Sequence, residues 1–129
     1  MIRGTAAQFK FKIPYSLDEL EWIYVKVWQP QNPNRSVNII KSITDCSEPI
    51  NREVYVSLDA NETSRFSDKY KAKVQMNALP KGGVPFGSKE RWVTVYSMSD
   101  DIINTGTTPP ATEDGWIILD GENIIANNV

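Results

Sequence analysis

Hydrophobic and polar residues alternate with a period of two through most of the first hundred positions, the pattern of strands buried on one side. Phe9, Phe11 and Ile13 alternate with Gln8, Lys10 and Lys12, and Ile23, Val25 and Val27 alternate with Trp22, Tyr24, Lys26 and Trp28. Residues 37–43 read as a third, less regular strand. Val54, Val56 and Leu58 face one way, with Glu53, Tyr55 and Ser57 opposite. The clearest run sets Tyr70, Ala72, Val74, Met76 and Ala78 against Lys69, Lys71, Lys73, Gln75 and Asn77, and a last one sets Val93 and Val95 against Trp92, Thr94 and Tyr96. Turn residues punctuate these runs. Pro30-Gln31-Asn32-Pro33-Asn34 separates the second and third, and Lys81-Gly82-Gly83 follows Pro80, where glycine supplies a positive φ at little cost. Helical signals are confined to single turns: Asp59 with Glu62 three residues on spells a capping box, and Asp18-Glu19-Leu20-Glu21 suits a short turn.

Six or more short strands joined by turns predict an all-β chain, an antiparallel β-sandwich of immunoglobulin-like or Greek-key type, with a small closed barrel as the alternative. The 129 residues, 40% of them hydrophobic, fit one compact domain. The pattern divides it into a body at 1–103, a polar linker at 104–115 rich in Thr, Pro and Gly, and a C-terminal arm or added strand at 116–129. The apolar group Trp116, Ile117, Ile118 and Leu119 beyond that linker calls for cover, since each such side chain left in water forgoes ~1.5–3 kcal/mol of burial. Either it folds back as a last strand on its own sheet, or it adds a strand to an adjacent subunit. Removing 104–129 is expected to leave the body folded.

Charge sharpens the division. Residues 1–91 hold all 14 Lys and Arg against 10 acids, for +4, whereas 92–129 hold six acids and no base, for −6. The acidic end is either simply solvated or drawn to a basic surface on its own body or a neighbour's. Lys69-x-Lys71-x-Lys73 is the only concentrated basic run, which argues against nucleic acid as a partner. No stretch approaches the ~18 apolar residues of a membrane span, and polar residues interrupt the N-terminus where a signal peptide would be apolar. With a single Cys46 there is no internal disulfide. The expectation is a protein made in a cytoplasm, with no membrane partner.

Catalysis is disfavoured. Zero histidines remove the usual general base, the Ser-His and Cys-His pairs and the commonest zinc ligand. Cys46 lies between Asp45 and Glu48, whose charges oppose a thiolate. Asp120-Gly121-Glu122-Asn123 does not complete a calcium loop, and no cofactor is implied.

The aromatic residues say more. If Ile23, Val25 and Val27 form the core face, then Trp22, Tyr24 and Trp28 lie opposite, and Trp92 and Tyr96 repeat the arrangement against Val93 and Val95. Such rings either form a contact surface or are themselves the core, with the aliphatics outward. An outward set suits protein–protein assembly, where Trp and Tyr anchor interface centres, or a carbohydrate-binding module whose rings stack on sugars, with Gln75, Asn77 and Arg91 at hand.

The opening Ile2-Arg3-Gly4-Thr5, the aromatic strand Phe9-x-Phe11-x-Ile13-Pro14, Val56-Ser57-Leu58, Glu62-Thr63-x-x-Phe66, Ala72-Lys73-Val74-Gln75 and Ser99-Asp100-Asp101-Ile102-Ile103 together resemble a family of small bacteriophage structural proteins over residues 2–103. In outline the body is also similar to the immunoglobulin-like N-terminal domain of phage upper-baseplate proteins. The loop at 30–35, the segment 81–90 and the whole C-terminal addition depart from that pattern. The resemblance implies a non-enzymatic virion component present in many copies, in tail, baseplate, neck or capsid surface, whose partners are other virion proteins and copies of itself, with a host-surface glycan as a further candidate.

Overall fold

The computed structural model describes residues 1–34 and 37–97, together with the backbone of Ile118–Leu119 and Ile124–Ala126. The strands are β1 (Ala7–Lys12), β2 (Leu20–Trp28), β3 (Asn38–Ser42), β4 (Cys46–Ile50), β5 (Glu53–Leu58), β6 (Ala72–Pro80), β7 (Phe86–Ser88), β8 (Arg91–Val93), β9 (Ile118–Leu119) and β10 (Ile124–Ala126). One sheet runs β4-β5-β1-β9 and the other β10-β7-β6-β2-β3, with β8 also on β6. β7 and β8 lie along the same side of β6, opposite Asn77–Ala78 and Ala72–Val74, so they act as one strand interrupted at Lys89 and Glu90. The chain enters the first sheet with β1, crosses for β2 and β3, returns for β4 and β5, and crosses again for β6 to β8. This order is that of an immunoglobulin-like Greek key. The architecture is an all-β sandwich of two sheets rather than a closed barrel.

The alternation read from the sequence becomes the core. Phe9, Phe11, Val54, Val56 and Leu58 from the first sheet meet Ile23, Val25, Val27, Val74, Met76 and Ala78 from the second, all with no exposed surface. A bulge lets β2 keep this register: Leu20 and Trp22 pair with the consecutive residues Pro80 and Leu79, so Glu21 is the extra residue and Leu20 and Ile23 both turn inward. All the core residues among those described fall within 1–95.

The helical turn α1 (Ala60–Thr63) begins where the sequence places it. The Asp59 carboxylate accepts from Glu62 N–H at 2.7 Å, and the Glu62 carboxylate accepts from Asp59 N–H at 3.0 Å. A short 3-10 turn at Leu17–Glu19 overlaps the second expected turn at Asp18 and Glu19 only, since Leu20 and Glu21 already belong to β2. Gly82, with φ +70°, supplies the positive backbone angle in the turn after β6.

The N-terminal lead is tied to α1 and to the segment after β8. Arg3 N–H donates to the Tyr96 carbonyl and Tyr96 N–H to the Met1 carbonyl, both at 2.8 Å. Gly4, at φ +79°, turns the chain so that its N–H donates to Thr63 Oγ1 at 3.0 Å, and that hydroxyl donates to the Thr5 carbonyl at 2.7 Å. Thr63 is fully buried, and the Arg3 guanidinium donates to the Ser64 carbonyl at 2.9 Å. The Ile2–Thr5 and Glu62–Phe66 segments are thus two halves of one fastening.

Candidate functional site

The outer side of the larger sheet carries the aromatic residues. Strand pairing sorts them into rows that cross several strands. Asn38, Trp28, Lys73 and Trp92 form one row over β3, β2, β6 and β8. Ile40, Lys26 and Gln75 form the next, and Ser42, Tyr24, Asn77 and Gly87 the third. Trp22 stands beyond Tyr24, their ring centroids 5.4 Å apart and tilted by 39°.

The alternative in which the rings are core and the aliphatics face out does not hold. Ile23, Val25 and Val27 are fully buried, while Tyr24 is 47% and Trp92 48% exposed. Trp22 and Trp28 are half-buried. Two ammonium groups cover rings: Lys26 Nζ sits 4.6 Å from the Trp28 ring centroid, and Lys73 Nζ sits 4.5 Å from that of Trp92. Lys73 also bridges to Glu90 at 2.6 Å. The surface is therefore a sheet face of rings, amides and stacked lysines, with Ile40 as a further exposed apolar group.

The remaining residues singled out in the sequence fall elsewhere. Tyr96 is exposed, but it pairs with Ile2 beyond the end of β8 and belongs with the N-terminal lead rather than with these rows. Ile118 and Leu119 form β9, whose backbone pairs in parallel with Lys10 and Phe11 on the edge of the other sheet of the same chain. Trp116, Ile117 and the linker at 104–115 lie outside the described residues. Sequence reading missed Ile40, although the inward Val37 and Ile39 imply its outward direction. The lysine–ring stacks were missed as well, since Lys73 meets Trp92 only through the β6–β8 register.

The surroundings of Cys46 oppose a thiolate. Burial, and behind it the Asp45 carboxylate, pushes its thiol up to about 11. Of the two flanking acids only Asp45 is a cause of this shift; the Glu48 carboxylate accepts from Leu17 N–H at 3.1 Å and Arg52 N–H at 2.6 Å. Among the described residues no three His, Cys, Asp or Glu side chains gather as a metal-ligand set.

Set beside known proteins, the chain matches no protein-family profile, no curated protein and no solved structure.

Proposed function

We propose that this protein is a non-enzymatic structural component of a bacteriophage particle, assembling with copies of itself and with other virion proteins through the outer face of its larger sheet. One observation carries the assembly reading. The sandwich closes its core with aliphatic side chains, yet Tyr24, Trp28, Trp92 and Ile40 remain together on the opposite side of the same strands. Trp and Tyr are the usual anchors at the centre of protein interfaces, where they bring much contact area at a small entropic cost. The virion setting is supported by the resemblance carried on Ile2–Thr5 and Glu62–Phe66, which pack as one unit through Thr63. A mass-spectrometric inventory of phage particles purified from a lysate that expresses the chain tests the setting. The expected result is the chain in many copies per particle, and its absence from intact particles contradicts the reading.

A carbohydrate-binding module is the second reading, favoured by Gln75 and Asn77 lying in the rows that hold Lys26 and Tyr24. Two features weigh against it. Lys26 and Lys73 already lie over Trp28 and Trp92, where a sugar ring would stack, and the Gln75 amide donates to the Ser88 carbonyl at 3.2 Å. A glycan array separates the two readings: assembly predicts no bound sugar.

A further inference from the structure

Among the described residues, no strand from the start of the chain edges the first sheet. In an immunoglobulin-like sandwich the strand that starts the chain lies beside the one that here is β1. In this protein residues 1–3 instead hydrogen-bond to Tyr96 in the other half of the sandwich, through the Ile2–Tyr96 bridge and the Arg3 and Tyr96 amides. The edge of β1 is taken by β9 from the far end of the chain, in parallel, and the edge of β7 is taken by β10. Only four residues, 120–123, separate β9 from β10, a reach of at most ~18 Å, so the two edges lie on one flank of the sandwich. The Tyr15 and Phe86 rings, 5.6 Å apart, join the same two regions from within. One nine-residue stretch thus completes both sheets.

We infer that residues 118–126 are an exchangeable strand pair, and that in the assembled state they complete β1 and β7 of a second copy of this chain. Three features support exchange. The stretch is joined to the described body through 98–117, twenty residues whose maximum reach of ~70 Å exceeds the width of the body. The pairing is short and made by backbone, with two residues on β1 and three on β7, so an identical copy offers the same partners in trans. Charge also matches. On β1, Lys10 and Lys12 share the single carboxylate of Glu53, at 3.4 and 3.9 Å, which leaves positive charge on this strand, and the donor stretch contains Asp120 and Glu122 and no base. The contacts are the same in cis and in trans, so local concentration decides between them, and an array of copies raises it. Exchange deepens the assembly reading and rests on it, because it needs copies held side by side.

The test uses full-length chains in a Cys46→Ser background. Lys10→Cys is placed in one population and Ile118→Cys in the other, since these positions face each other in the β1–β9 register. Parallel neighbours ~4.8 Å apart fall within disulfide reach. The populations are mixed, assembled and oxidised. Exchange predicts a disulfide-linked heterodimer, which a mixture of Lys10→Cys chains with Cys46→Ser chains lacks. A heterodimer no stronger than in that control overturns the inference. So does a chain carrying both cysteines that closes only on itself. Carbodiimide crosslinking of unmodified chains, half of them 15N-labelled, checks this without mutation: exchange predicts mixed-isotope links between Lys10 or Lys12 and Asp120 or Glu122, and links within one isotope alone overturn it. Footprinting of Trp28 and Trp92 reads the sheet face separately, so buried rings without heterodimer end the exchange and leave the assembly reading in place.

Discussion

The two sides of β2 are both rich in hydrophobic residues, yet the fold treats them oppositely. Ile23, Val25 and Val27 point into the sandwich with no exposed surface, while Trp22, Tyr24 and Trp28 line the outside with Lys26 among them. Shape and polarity explain the division. Branched aliphatics interdigitate with Val74, Met76 and Ala78 without a polar atom to satisfy, whereas Trp and Tyr carry an N–H or O–H that water or a partner must meet. Apolar content alone therefore does not mark the core of this sheet. Lys26 and Lys73 stack on Trp28 and Trp92, while Tyr24 and Trp92 keep about half of their surface open to a partner.

The comparison breaks most visibly at its inner side. Ile23→Ala is expected to cost ~2–5 kcal/mol in urea unfolding, because a fully buried side chain leaves a cavity between sheets that cannot collapse. A loss below ~1 kcal/mol would mean that the inner face is not close-packed. The next largest effect is at Thr63, a polar residue as buried as the aliphatics. Thr63→Val keeps the shape but leaves Gly4 N–H and the Thr5 carbonyl without their partner, an expected cost of ~1–3 kcal/mol with faster amide exchange at Gly4. On the outer side, Trp28→Ala with Trp92→Ala is expected to change unfolding free energy by less than ~1 kcal/mol for each site while abolishing concentration-dependent association in light scattering. A large fall in stability would return these rings to the core.

The smallest effect is a pH dependence at Cys46. The folded chain holds the thiol proton more tightly than the unfolded chain, so stability is full below the unfolded value near 9.0 and declines as pH rises toward about 11. Thiol-reagent kinetics should show the same raised midpoint, and Cys46→Ser should remove the decline.

Much of the body was legible because one-sided burial imposes a period of two. β1, β2, β5 and β6 announce themselves in this way, and β6 does so from Ala72 to Ala78, before Leu79 and Pro80 extend the strand beyond the sequence pattern. α1 was legible because capping is local, from Asp59 to Glu62. β4 was not. Cys46-Ser47-Glu48-Pro49-Ile50 has no period, and Pro49 cannot donate to a ladder, a defect tolerated because β4 is an outer strand. β7 is three residues with Gly87 in the middle, whose missing side chain permits the close pairing: a Cβ there would collide with Asn77 Oδ1 and lie 3.0 Å from the Met76 carbonyl oxygen. For the site, the outward direction of Trp22, Tyr24, Trp28 and Trp92 followed from strand parity. Which of them share a row depends on register between distant strands, and so does the separation of Tyr96 from the rest, which no local pattern encodes.

Oxidative footprinting of the tryptophans in the free chain and in the assembled state shows whether the outer sheet face is the contact surface. Trp92 and Trp28 are expected to be modified readily in the free chain and protected in the assembly, while buried Met76 is protected in both. Equal modification of the two rings in both states would contradict this expectation.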